Sequence, residues 1–242
     1  MAKKKLTYLM LASAVLLLLS SAVGSTRAAL TYYSENYVAK ITVSQIGVSL
    51  LENGEIVSSR DYNKNEWKVK TNKGAGSTSG ELLSNMLGQE EKLALNKKYD
   101  EKLTVKNSGS IDEYVRVRIY RYWMMDGTKV TTLSPDLIDL NFVNGDRWIQ
   151  NPRETAECTE LFYKGILPSG EETAAFADSV RIDGEVASEA KVETNGNVIT
   201  TTYKYDGVEF HVDVEVDAVQ THNAQDAIKS AWGVDGSVGT DG

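Results

Sequence analysis

The segment that most narrows what this chain can fold into runs from Tyr114 to Trp123. Val115, Val117, Ile119 and Trp123 alternate with Arg116, Arg118, Tyr120 and Tyr122. A period of two puts one set on each side of an extended strand, which no helix can do. One face is apolar, the other basic and aromatic, as in a sheet that covers a core on one side only. Arg116, Arg118 and Arg121 are expected on a solvated face against acidic neighbours, with a ligand-binding patch as the alternative. Near the C-terminus the pattern returns with opposite charge: Val212, Val214, Val216 and Ala218 alternate with Asp213, Glu215 and Asp217.

Between such strands lie turn signals. Asn53-Gly54, Asn144-Gly145 and Asp206-Gly207 each read as a hairpin turn between β-prone runs. The last is expected to join Val198–Tyr205 to Val208–Val219. Ile41–Leu50 reads as a strand with a slip near Gln45. Leu103–Val105 and Leu161–Tyr163 read as strands, and Asn107–Ser110 and Leu167–Glu171 as turns. Asn72–Gly80 reads as a Gly/Ser/Thr loop, Glu81–Leu87 as a short helix, and Asn223–Trp232 as a final helix docked by Ile228 and Trp232. Many short strands with little helix predict an all-β fold: an antiparallel β-sandwich or jelly roll with short helices in loops and near the C-terminus.

The first 29 residues have a different character. Lys3, Lys4 and Lys5 precede an apolar run from Leu6 to Val23, and small residues follow to Ala29. That is the three-part pattern of a secretory signal peptide. Ser, Thr and Ala interrupt the run and no basic cluster follows at once, which favours cleavage over a lasting membrane anchor. Ala28 and Ala29 flank the expected cut; Arg27 sits awkwardly for cleavage after Ala29, so a cut after Ala28 fits better. A single domain is then expected over residues 30–233, opening with an extended segment at 30–40, and a flexible tail over 234–242.

Removing 29 of the 242 residues takes four positive charges and no acid, which moves the net charge from −8 to −12. Such a surface repels phosphate backbones, so nucleic acid is an unexpected partner. One cysteine, Cys158, allows no internal disulfide and reads as a small half-buried apolar group. His211 and His222, the two histidines, stand eleven positions apart and match no common zinc spacing. No serine nucleophile elbow and no phosphate-cradling glycine loop occurs. Catalytic residues, cofactor and metal are expected to be absent, which points to a binding or structural role in a secreted or cell-surface setting.

Four features together resemble the TasA/camelysin family of secreted Gram-positive proteins: the lysine-led leader ending Ala28-Ala29-Leu30-Thr31; the strand-like Ile41–Leu50; Lys102–Ser110 leading straight into Tyr114–Trp123; and Val212–Ala218 followed by Ala-Val-Gln and Trp232. The resemblance implies a jelly-roll subunit of extracellular matrix fibres, freed by a signal peptidase of the SipW type. It also implies self-association in which the N-terminal segment of one copy adds as a strand to the next. Leu30, Tyr32, Tyr33 and Tyr37 are the expected docking side chains; the alternative is that this segment pairs at an edge of its own domain. A second reading is a carbohydrate- or adhesion-type module using Tyr120, Tyr122 and Trp123 or the loop Asn72–Gly80. A third is the secreted metallopeptidase activity described for camelysin relatives, against which the histidine count weighs.

Overall fold

A computed structural model of the chain describes residues 45–63, 66–74, 77–88, 90–151, 155–188, 190–195 and 198–235, all within one compact unit, Ser44–Gly242. The leader, the cleavage residues Ala28 and Ala29, the segment with Leu30, Tyr32, Tyr33 and Tyr37, and most of the C-terminal tail lie outside the described residues.

The strands, in chain order, are β1 (Gly47–Glu52), β2 (Glu55–Asn63), β3 (Glu66–Thr71), β4 (Lys98–Asn107), β5 (Glu113–Met125), β6 (Thr128–Val130), β7 (Ile138–Phe142), β8 (Trp148–Gln150), β9 (Cys158–Tyr163), β10 (Ala177–Ile182), β11 (Ala190–Asn195), β12 (Val198–Tyr203) and β13 (Glu209–Gln220). One helix, α1 (Ala224–Trp232), follows, and short 3-10 turns stand at Pro135–Leu137 and Gly184–Ala187. All the strand pairs are antiparallel. A six-stranded sheet runs β3-β2-β1-β4-β10-β7, and a second runs β13-β5-β9-β8 with β6 extending the β9 side. β11 and β12 form a separate ribbon. The pairs β1–β4, β5–β13, β7–β10 and β8–β9 alternate between the two main sheets, which is how a jelly roll wraps its ribbon. The fold is the expected all-β sandwich.

The alternation in β5 explains the layering. Val115, Val117, Ile119 and Trp123 are at most 2% exposed and meet Leu50, Leu103, Val105, Ile138 and Leu140 from the six-stranded sheet. The opposite face of β5 pairs with β13 in the register the charges demand: Arg116 with Asp217, Arg118 with Glu215, Tyr120 with Asp213. Helix α1 covers one end of this outer face. Ile228 is fully buried there, with Phe162 and Trp232 in ring contact at 5.7 Å.

Several local expectations give way to the topology. Asn53 and Gly54 do form the two-residue turn between β1 and β2, both with positive φ (51° and 87°). Asn144-Gly145 and Asp206-Gly207 are not hairpins. β7 pairs with β10 while β8 pairs with β9, and β12 pairs with β11 while β13 pairs with β5, so each turn carries the chain from one sheet to another. The second two-residue hairpin is Asp126-Gly127 (φ 50° and 73°), which joins β5 to β6. Glu81–Leu87 is a run of bends and turns with Leu83 at φ 61°, not a helix. The arginines of β5 are not simply solvated: Arg116 and Arg121 are 7% and 3% exposed, the first among carboxylates and the second turned inward, where its Nη1 donates to the Ile138 carbonyl at 2.8 Å.

Candidate functional site: an open sheet edge above an apolar groove

The two sheets are unequal in width. β13 lies over β1, and β1 is followed by β2 and β3 beyond it. Among the described strands nothing pairs with the outer edge of β13. Among the described strands none covers the overhanging inner face of β2 and β3. Its registered pairs are Tyr62 with Trp67 and Arg60 with Val69. Trp67 and Val69 remain 51% and 42% exposed, although such side chains ordinarily sit against a second layer. Arg60 stacks over the Trp67 ring at 4.7 Å and the Tyr62 ring meets it, tilted, at 5.1 Å, so the indole is held in place.

The result is a groove of about 1260 Å³. Val48, Leu50, Val57, Trp67 and Val69 form one side; Phe210, Val212, Val214 and Val216 of β13 form the other. Gly80–Leu83 also line the groove, packed so closely that a side chain at Gly80 would strike the Val57 carbonyl oxygen at 2.3 Å. The wall of β13 is anchored from behind. Arg116 donates to Glu160 at 3.0 Å and to Asp217 at 2.7 Å, and Arg118 bridges Glu215 at 2.8 Å. Arg118, Asp213, Glu215 and Asp217 also reach the groove, beside Phe210 and the three valines of β13. The arrangement offers backbone donors and acceptors along β13 and apolar side chains beneath them, which is what an added strand needs.

The chain enters this unit at one end of the groove. Gln45 and Ser110 bond reciprocally, the Gln45 amide to the Ser110 hydroxyl at 3.0 Å and the Ser110 amide to the Gln45 carbonyl at 2.8 Å. Gly47 sits so tightly that an added Cβ would lie 2.5 Å from an Asp61 carboxylate oxygen. Beneath it lies Glu113, fully buried, with neither carboxylate oxygen hydrogen-bonded. Burial pushes its pKa up to about 8, with the Asp61 charge adding and the nearby Gly47 amide opposing.

Comparison of the chain with protein-family models, with curated proteins and with solved structures finds no match.

The aromatic surface expected at Tyr120, Tyr122 and Trp123 does not exist as a unit. Trp123 is 2% exposed in the core, its Nε1 donating to the Ser134 carbonyl at 2.9 Å. Strand alternation puts it on the opposite face from Tyr120 and Tyr122. Those two are half-buried within the outer-face network: the Tyr122 hydroxyl donates to Asp213 at 2.8 Å and its ring stacks on His211 at 5.1 Å, while Arg118 donates to the Tyr120 hydroxyl at 3.3 Å. Cys158 is buried in β9. Among the described residues no group of three or more His, Cys, Asp or Glu side chains converges as metal ligands would. Sequence reasoning missed β3. Its signal was the alternation of Trp67, Val69 and Thr71 with Lys68 and Lys70.

Proposed function

We propose that this protein is a secreted structural subunit that builds an extracellular fibre by N-terminal strand addition. The open edge of β13 above the uncovered Trp67–Val69 face carries the reading. One strand laid along β13 supplies the missing layer: its backbone bonds to the edge and its inward side chains cover the indole and the valine. The lengths agree. Leu30–Lys40 is eleven residues, about 37 Å when extended, and β13 is twelve residues, about 41 Å. Cleavage by a signal peptidase beside Ala28 or Ala29 frees that segment, which couples export to assembly. The polymer is then a chain of identical copies outside the cell, with no nucleic acid and no catalytic step. A carbohydrate-binding module is less well supported, because the three expected aromatics are divided between two faces.

The test is electron microscopy of the purified secreted chain over a concentration series, beside a variant lacking Leu30–Lys40. Filaments are expected from the parent and monomers from the deletion. Filaments from both would overturn the reading, and retention of a monomeric parent on polysaccharide would replace it with the binding module.

A further inference from the structure

Resting on that reading and deepening it, we infer that the added strand runs antiparallel to β13, that it therefore belongs to a second copy, and that Tyr37 seats in a small pocket at the Phe210 end of the groove. Three observations carry this.

First, the ends of the groove are unlike. At one end Gln220 pairs with Glu113, whose carboxyl lies by the Gly47 amide, so each copy's own chain enters the fold there. At the other end Phe210 also lines a second cavity of about 370 Å³, with Leu93, Ile182, Val186, Val208 and Asp206.

Second, chain length decides which copy can lie in which direction. Lys40 to Gln45 is five residues and reaches at most about 17 Å. Phe210 to Gln220 is ten residues of strand, about 34 Å. A copy's own segment can follow β13 only in parallel, with Lys40 near Gln220. An antiparallel strand has its Lys40 end at Phe210, beyond the reach of the same chain. Antiparallel pairing matches the ladders already present and is the more stable of the two per residue.

Third, the side chains fit. Tyr33, Glu35 and Tyr37 share one phase of the segment, and Leu30 and Tyr32 share the other. Inward Glu35 meets Arg60, a guanidinium lining the groove. In the antiparallel sense Tyr37 falls at Phe210, where the cavity offers an apolar wall for the ring and Asp206 to accept its hydroxyl proton.

The experiment uses the full secreted chain in a Cys158→Ala background with the parent's melting temperature verified, mixing two differently tagged populations before assembly and cross-linking with a short bis-maleimide. The antiparallel pairs are Val38→Cys with Glu209→Cys and Tyr32→Cys with Glu215→Cys; Glu209 and Glu215 are exposed on one face of β13. The parallel pairs exchange the partners. Cross-links between chains in the antiparallel pairs only are expected. Cross-links in the parallel pairs, or within one chain, overturn the inference and leave strand addition standing. Filaments that cross-link in none of the four overturn both. As a measurement without cysteines, Tyr37→Ala is expected to raise the critical concentration about tenfold, the loss of one largely buried ring, and more than Tyr32→Ala; the reverse order also overturns the inference.

Discussion

Glu113 shows what a single buried carboxyl does to the whole. Its pKa stands at about 8 in the fold, above the ordinary carboxylate value of 4.5. The folded state therefore binds more protons than the unfolded chain between those two values, and stability falls as pH rises through that window. Burial likewise raises Glu52 and Glu101, which adds to the slope in the same direction. Glu113→Gln is expected to melt near the parent at pH 5 and clearly above it at pH 8.5, by calorimetry; parallel pH profiles for the two proteins would show that Glu113 does not carry the slope. Arg116 is the converse case. It is 7% exposed and joins Glu160 to Asp217, so Arg116→Ala leaves the buried Glu160 without its counter-ion, with only the Asn151 side-chain amide still donating to its carboxylate at 3.0 Å. A loss of about 3–5 kcal/mol in chemical unfolding is expected; a loss below about 1 kcal/mol would mean that water replaces the guanidinium.

Among the elements, β3 and α1 are opposites. Ile228 of α1 is fully buried, and Ile228→Ala is expected to cost about 2–5 kcal/mol. Trp67 of β3 is 51% exposed, so Trp67→Lys is expected to change stability little, within about 1 kcal/mol, yet to abolish filaments. A folded Trp67→Lys variant that polymerises normally would remove β3 from the acceptor surface. The same two elements show what the sequence carried. β5, β13 and α1 were legible because their apolar positions repeat at 2.0 or 3.6 residues and their burial follows that repeat. Asn144-Gly145 and Asp206-Gly207 announced reversals correctly, but turn chemistry is local and cannot say which sheet receives the next strand. Trp123 belongs in phase with Val115, and reading it as a surface aromatic set its chemistry above its register. The groove was invisible for a different reason: it arises from a mismatch in width between two sheets, a property of topology that no single segment holds.

At the scale of the molecule, the lone Cys158 is buried and the described fold has no disulfide, so strand pairing and core packing hold it. Millimolar reductant is expected to leave both the melting temperature and the filaments unchanged; a drop in either would place an intermolecular disulfide in the assembly. In the proposed assembly, donor segment and acceptor edge are different surfaces of one chain, so their union would not close on itself as a two-fold dimer does. If the proposed strand addition holds, the edge of β13 left unpaired among the described strands gives a growing chain a direction. In such a polymer one terminal copy would hold a vacant groove and the other an unspent tail, so a free peptide with the sequence of residues 30–40 is expected to act only at the first. Substoichiometric peptide should stop elongation there while the opposite end keeps adding copies, and length distributions would record a fibre with a head that can be plugged and a tail that cannot.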